Sequence, residues 1–276
     1  MGKKLSNISK YHYIKLIFHS LLFIGVLVLY IINRVHGLPD IFENFDYIQI
    51  VLIVIWAIFL IEMVFRFFPS RLESQGCQKI FKRNYQPHEN GNIKPRKPNP
   101  WRTFAVASVW IIANLLIGMI YLIGWIDQGI LILISLLYSI GDMVCILFFC
   151  PFQTWFLKNK CCNTCRIYNW DFAMMVTPLV FIPNFFTWSL VGVSLALLLK
   201  WEIMYKVYPE RFVENTNRNL LCANCKEKLC VHKKQLKKYL KKFQDRFFPV
   251  QSQSKESQNE NKVLTEQEKQ DSVALD

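Results

Sequence analysis

Long apolar runs separated by short polar connections dominate this chain. The runs fall near residues 14–33, 46–68, 103–123, 130–150, 168–184 and 186–207. A helix needs about 20 mostly apolar residues to cross a bilayer, and the first four runs meet that length. The last two runs share one apolar stretch, residues 172–199, which Pro178 and the turn signal Pro183-Asn184 interrupt. The pattern predicts an all-α polytopic membrane bundle of about six transmembrane helices, arranged as three hairpins of which the last is kinked and shallow.

Positive charge concentrates in three connections. Residues 1–15 carry four lysines and no acid, while residues 66–102 and residues 226–246 each have nine Lys or Arg against two acids. Residues 34–46 and 124–129 are poor in basic residues. Because Lys and Arg accumulate on the cytoplasmic side, six spans place every basic segment inside. We therefore predict a plasma-membrane or inner-membrane protein with both termini in the cytoplasm.

The net charge of +13 bears on the expected partners. The positive-inside bias explains most of it, so we expect contact with the bilayer and its anionic head groups, and no nucleic acid. A protein partner is compatible with the sequence, which does not identify it.

The C-terminal part of the chain differs from the rest in composition. Residues 231–248 predict a basic amphipathic helix that lies on the inner leaflet or packs on the protein's own loops. Its lysines are Lys233, Lys234, Lys237, Lys238, Lys241 and Lys242. Residues 249–276 are rich in Gln, Ser and Glu and predict a disordered tail, which leaves residues 1–230 as the membrane domain with its cysteine knuckles.

Two CxxC knuckles carry the most specific chemistry in the sequence. They are Cys162-Asn163-Thr164-Cys165 and Cys222-Ala223-Asn224-Cys225. Two residues between cysteines let both sulfur atoms face one soft metal ion, and the hairpin between the knuckles returns both to the cytoplasmic side. Cys162, Cys165, Cys222 and Cys225 therefore predict a structural, tetrahedral zinc site. Further candidate ligands are Cys161, Cys230, His232 and Cys150.

The end of the fourth run offers an iron–sulfur cluster as an alternative to zinc. The stretch Cys150-Pro151-Phe152-Gln153-Thr154-Trp155 resembles the Cys-Pro-Gln-Thr-x-Trp stretch of membrane polyferredoxins that assist cytochrome oxidase assembly. The resemblance implies iron–sulfur clusters for electron transfer, with Cys150 as a ligand. It covers residues 145–155, places Cys145 one residue further from Cys150 than the family does, and lacks the ferredoxin run C-x2-C-x2-C-x3-C-P. Dithiol redox chemistry without a cluster, and a chain that binds no metal, are also compatible with these cysteines.

Acidic side chains inside the apolar runs are the third chemical feature. An isolated charge near the bilayer centre costs about 2.5–3.5 kcal/mol, so Glu62 and Asp142 are expected to face partners or a cavity. Arg66 follows Glu62 by four residues, which predicts a local ion pair on one helix face. Asp142 has no local partner, and we expect it to pair with Arg66 across helices, to cap, to bind a cation or to relay a proton.

Three function classes are consistent with these features. The first is a non-enzymatic scaffold, assembly or sensing protein whose zinc site clamps the last hairpin. The second is a membrane redox protein with an iron–sulfur or dithiol centre, and the third is a transporter of a small solute or ion that uses Asp142 and Glu62. The sequence contains no phosphate loop, no H-E-x-x-H and no recognisable Ser-His-Asp arrangement, so an enzyme is the less favoured class.

Overall fold

The computed structural model describes residues 6–35, 47–88, 94–95, 99–159, 161–228 and 230. In this part of the chain the structure is all-helical and contains no β-strand, as predicted. The helices are α1 (Asn7–Val35), α2 (Tyr47–Arg66), α3 (Gln75–Gln78), α4 (Pro100–Leu122), α5 (Gln128–Leu147), α6 (Asp171–Val176) and α7 (Phe185–Val207). Short 3-10 turns and a π-helix, Phe152–Leu157, lie between them.

The described residues from Ser6 to Lys228 form one compact unit. The predicted amphipathic helix and tail lie outside the described residues, and so do His232 and the six lysines between residues 233 and 242.

Polar residues fix where three of the long helices begin. Asn99, Asp127 and Asn184 directly precede α4, α5 and α7. Each side chain accepts a hydrogen bond of 2.9–3.0 Å from a backbone N–H two or three residues later. These caps satisfy donors that a helix start leaves without a partner. Gly124, with φ of 85°, makes the tight turn between α4 and α5, a conformation that side chains other than glycine rarely adopt.

Three helices, α1, α4 and α5, are long and apolar enough to cross a membrane. They correspond to the predicted spans 14–33, 103–123 and 130–150. Their outward side chains include exposed large apolar groups such as Ile14, Leu21, Phe104 and Leu115, which suits a lipid surrounding. These helices indicate a membrane protein. The count of six spans, the three hairpins, the type of membrane and the cytoplasmic termini stay predictions.

The predicted span at residues 168–184 is not one continuous helix. From Asp171 to Phe181 the chain has eleven helical residues, six in α6 and five in a 3-10 turn. Such a segment rises about 16–19 Å, roughly half of a hydrocarbon core of about 30 Å. Pro178 lies in the turn, where a residue without an N–H interrupts the α-helical ladder.

The last helix, α7, begins beside the middle of α2. Trp56 of α2 donates a hydrogen bond from Nε1 to the Ser189 hydroxyl at 2.7 Å, and its ring contacts Phe186 with centroids 5.6 Å apart. These contacts hold the start of α7 against α2, and the shallow last hairpin stays a prediction.

The core lies where α2, α5, α6 and α7 meet. Phe59 and Met63 from α2 pack with Leu136 from α5, Val176 from α6 and Leu190 from α7, all of them buried. α1 packs along α5, α2 packs along α7, and α6 contacts both α5 and α7. Because lipid tails are as apolar as these side chains, close packing contributes more to the association of such helices than transfer out of water does.

Three segments pack together at one end of the bundle: residues 75–87, 161–170 and 208–228. We call them the end module. Arg211 Nη1 donates to the Ile80 carbonyl at 3.0 Å, and Ser9 at the start of α1 donates to the Glu227 carbonyl at 2.9 Å. Residues 75–87 from one basic connection, residues 226–228 from another and the start of α1 therefore meet at the same end.

Gly118 on α4 allows Phe181 to approach the helix closely, and this packing is testable. A Cβ atom at Gly118 would overlap the Phe181 ring, whereas a Cβ atom at Gly192 on α7 would meet no atom within 4 Å. We expect Gly118→Ala to lower the free energy of unfolding by about 1–3 kcal/mol. Gly192→Ala should raise it by up to about 1 kcal/mol because alanine favours helix. Thermal unfolding in detergent micelles compares them, and equal Tm values would contradict the close packing.

Candidate functional site

Charged side chains cluster between the helices near the end module. Glu62 of α2 faces α1, where Lys15 Nζ lies 2.8 Å from Oε2 and His19 Nε2 lies 3.0 Å from Oε1. A carboxylate only accepts hydrogen bonds, so Nε2 of His19 carries the hydrogen, while Nδ1 is hydrogen-bonded to the Ser139 hydroxyl of α5. These four side chains join α2, α1 and α5.

Arg66, one turn later on α2, has a separate set of partners. Its guanidinium is 3% exposed and lies 2.8 Å from Asp171 Oδ2 and 3.4 Å from Glu73 Oε2. It also donates from Nη1 to the Asn169 side-chain oxygen at 2.7 Å. The Phe172 ring centroid lies 4.9 Å from the guanidinium, a distance at which a cation is attracted to the ring face. Arg66 therefore connects α2 to α6 and to the residues that come after α2.

The predicted local ion pair between Glu62 and Arg66 is replaced by pairs that cross between elements. A buried guanidinium has five donors, and one carboxylate a turn away does not satisfy them. The predicted pair between Asp142 and Arg66 is replaced as well, because Asp171 takes that position. We call Lys15, His19, Glu62, Arg66, Glu73, Ser139, Asn169 and Asp171 the charge network.

A cavity of about 460 Å³ lies between α4, α5, α6 and the π-helix. Its wall is mostly apolar and aromatic, with Trp110, Tyr138 and Phe152 among its lining residues. Carboxyl and thiol groups at the wall come from Asp142, Asp171, Cys145, Cys150, Cys162 and Cys165. We call it the thiol cavity. Small-molecule sites typically have about 300–1,000 Å³ and this kind of lining.

The thiols at the wall interact with neighbouring groups of the cavity. Cys145 and Cys150 both line the cavity and interact with each other. The Gln153 backbone N–H donates to Cys150 Sγ at 3.4 Å, and the Cys162 thiol donates to Gln153 Oε1 at 2.9 Å. Cys145 lies in the last turn of α5, and Cys150 lies between the end of α5 and the start of the π-helix.

Asp142 and Asp171 also line a second cavity of about 10 Å³. The other polar groups at its wall are Lys15, His19, Glu62 and Ser139. That volume is close to the lower limit for one water molecule. Asp142 therefore lies between the charge network and the thiol cavity, which gives it a position that spacing along the sequence did not predict.

The four predicted zinc ligands lie in two different surroundings. Cys162 and Cys165 line the thiol cavity. Cys225 accepts from the Lys228 N–H at 3.4 Å and from Asn163 Nδ2 at 3.8 Å, and Cys222 is exposed. The two knuckles are thus neighbours, joined by the Asn163–Cys225 hydrogen bond.

The geometry gives no support to a metal centre. Among the residues that the structure describes, no group of three or more His, Cys, Asp or Glu side chains is arranged to hold a metal ion. Of the other candidate ligands, Cys161 is half-buried, Cys230 is exposed, and Cys150 lines the thiol cavity. The zinc site and the iron–sulfur cluster stay predictions.

Lys79 of the end module supports the first knuckle. Its buried Nζ donates to the backbone carbonyls of Asn163 and Cys165 at 3.0 and 2.9 Å, and lies 5.2 Å from the Trp201 ring centroid. Burial disfavours the ammonium and lowers the pKa of Lys79 to about 7. Burial likewise disfavours the thiolates and raises the pKa values of Cys77 and Cys165 to about 12.

Several residues of these sites were not predicted, among them Lys15, Asp171 and Lys79. Lys15 lies on one face of α1 with His12 and His19, at intervals of three and four residues, and this pattern is visible in the sequence. Asp171 stands at the edge of an apolar run, and Lys79 lies in a basic connection, where surface lysines are common. No local signal distinguishes the last two.

Comparison with known proteins assigns no family. No family model, no curated protein and no solved structure matches this chain. The resemblance of residues 145–155 to the polyferredoxins therefore stays a local one.

The Glu62 carboxylate should contribute far more to stability than an exposed ion pair does. Glu62→Gln leaves Lys15, which is 9% exposed, without its counter-ion, and we expect the free energy of unfolding to fall by about 3–5 kcal/mol. Arg34→Gln is the control. Arg34 lies 3.5 Å from Asp127 but is 72% exposed, so the loss should stay below about 1 kcal/mol. Denaturant titration measures both, and similar losses would contradict the buried network.

The buried lysine and thiols of the end module predict a stability maximum at about pH 9. Between pH 7 and pH 9 Lys79 carries a proton in the unfolded chain and none in the folded chain, because its pKa falls from 10.5 to about 7 on folding. Stability should therefore rise by up to about 1.4 kcal/mol per pH unit. Above the ordinary thiol value of 9.0 the folded chain keeps two protons, on Cys77 and Cys165, and stability should fall.

Thermal unfolding between pH 6.5 and pH 10 measures this profile. Lys79→Met removes the titrating group and should abolish the rising limb below pH 9, whatever its effect on absolute stability. If the variant keeps the wild-type rise, another group is responsible and the assignment to Lys79 is wrong.

Proposed function

We propose that this membrane protein binds a small, mostly apolar molecule in the thiol cavity. The observation that carries the proposal is the cavity itself: about 460 Å³ beside α4 and α5, with a mostly apolar wall and few polar groups. Because both helices are long and apolar enough to cross a membrane, the natural source of such a molecule is the lipid phase.

The aromatic lining suits a flat ring. Trp110 packs on Tyr138 with ring centroids 4.6 Å apart and on Phe152 with centroids 6.0 Å apart. Aromatic side chains held this way offer both faces and edges to a ligand ring. Filling an apolar space also restores dispersion contacts that its lining lacks when the space is open.

The polar groups at the wall give the site a preferred orientation for its ligand. Asp142 and the thiols of Cys145 and Cys150 lie on neighbouring turns at the end of α5 and just beyond it. A ligand with one hydrogen-bonding end and one apolar end fits this distribution, because a few placed polar groups fix orientation in a mostly apolar pocket.

The predicted transporter class draws support from the same site, since Asp142 lines it. The charge network favours a structural role for Glu62 and Arg66, because both are engaged in short contacts with residues of other elements. The scaffold class with a zinc clamp keeps one supporting contact, the hydrogen bond from Asn163 to Cys225 that joins the two knuckles. The ligand-binding proposal uses more of the observed geometry than either.

Photolabelling in lipid nanodiscs tests the binding proposal. A photoreactive phenyl diazirine should label peptides of the cavity wall, such as the one that contains Met174 and Met175, and this labelling should saturate. Gly141 lines the cavity, and a Cβ atom there meets no atom within 4 Å, so Gly141→Leu fills the space without a backbone clash. We expect saturable labelling to fall about ten-fold, which corresponds to about 1.4 kcal/mol of binding.

Gly192→Leu is the matched control, because Gly192 is equally open and lies on α7 outside the cavity lining. It should leave the saturable labelling unchanged. Labelling that rises linearly with probe concentration, or that falls equally in both variants, would show partition into lipid alone and overturn the proposal.

A further inference from the structure

We propose that Cys145 and Cys150 form a dithiol–disulfide pair that exchanges two electrons with a quinone bound in the thiol cavity. This inference rests on the proposed binding of an apolar molecule there, and it adds the chemical class of the ligand and the reaction. Cys145 was not among the predicted metal ligands, and Cys150 was only a further candidate ligand.

The hydrogen-bond pattern gives the two thiols different roles. Cys150 Sγ accepts from the Gln153 N–H at 3.4 Å, and it also interacts with the Cys145 thiol. Donors that point at a sulfur stabilise its thiolate, so Cys150 is the nucleophile. Cys145 is placed to attack Cys150 in a second step, since both residues line the same cavity and interact with each other.

A quinone matches both the reaction and the cavity. Conversion of two thiols to a disulfide releases two electrons and two protons, and a quinone takes up the same numbers when it becomes a quinol. Its ring is flat and suits a wall that contains Trp110, Tyr138 and Phe152. It is also soluble in the lipid that surrounds the apolar helices.

Asp142 is placed to accept the proton of Cys145. It precedes Cys145 by three residues on α5, which puts both on the same face of the helix, and both line the cavity. Asp142 also borders the small polar cavity, together with His19 and Glu62. These polar groups can exchange protons with Asp142 from the side away from the thiol cavity. No other described carboxylate lines the thiol cavity except Asp171, which is paired with Arg66.

The reaction balances in two steps. Cys150 adds its sulfur to a ring carbon, and its proton passes to one ring oxygen. The Cys145 sulfur then attacks the Cys150 sulfur, so an S–S bond forms and the C–S bond breaks. The electron pair of the broken bond reduces the ring, and the Cys145 proton reaches the second ring oxygen through Asp142. A dithiol substrate restores the pair by thiol–disulfide exchange and leaves as a disulfide.

The test uses the full-length reduced protein in nanodiscs with a decyl-substituted benzoquinone. We expect one quinol per chain, from absorbance, and a Cys145–Cys150 disulfide, from peptide mass spectrometry. Cys145→Ser should trap the quinone as a thioether on Cys150, because the second thiol is missing. Cys150→Ser should form neither product. Cys77→Ala, whose thiol lies outside the cavity lining, should react as the wild type does.

Asp142→Asn separates proton transfer from binding. Disulfide formation should slow by about 10²-fold, the usual range for loss of a general base, while quinone affinity stays unchanged. A loss of affinity equal to the loss of rate would show that Asp142 only shapes the site, and this would overturn its role.

Two results would overturn the inference in different ways. If the quinone competes with the diazirine probe but no disulfide forms, the redox pair is wrong and the binding proposal stands. If neither the quinone nor the diazirine binds saturably to the wild-type protein, both proposals fail together.

Discussion

A guanidinium removed from water must find its acceptors within the protein, and Arg66 meets this requirement by joining three segments of the chain. It takes Asp171 and Asn169 from the segment around α6, and Glu73 from the residues after α2. An unpaired buried charge costs several kcal/mol of folding free energy. Arg66 can therefore be buried only where its three partners are in place. The start of α6 is therefore held at the end of α2, and its next turns, through Met174 and Met175, supply one wall of the thiol cavity.

Helix positions were predictable because length and apolarity act locally. The runs at residues 14–33, 103–123 and 130–150 became α1, α4 and α5, and the proline signals located the interruption after α6. Charge pairing was not predictable, because the partner of a buried charge is chosen in three dimensions. Glu62 meets His19 across 43 residues of sequence, whereas spacing along one helix only identifies neighbours three or four residues away.

The cysteines show the same division between local and distant information. CxxC spacing correctly marked Cys162 and Cys165 as a pair on one short turn. The spacing did not predict that this pair lines a cavity with Cys145 and Cys150, because the cavity depends on the π-helix after α5. The two knuckles meet in the end module, where the Asn163 side chain donates a hydrogen bond to Cys225, a contact across 62 residues that CxxC spacing does not predict.

The shared wall formed by Asp142 and Asp171 has a thermodynamic consequence. Both carboxyl groups border the small polar cavity and the large apolar one. Their charges therefore contribute to the electrostatic potential in both cavities. Reciprocity then applies: if occupancy on one side changes the proton affinity of these acids, protonation must change the occupancy by the same factor. Such coupling would act through the shared wall and would require no movement of a helix.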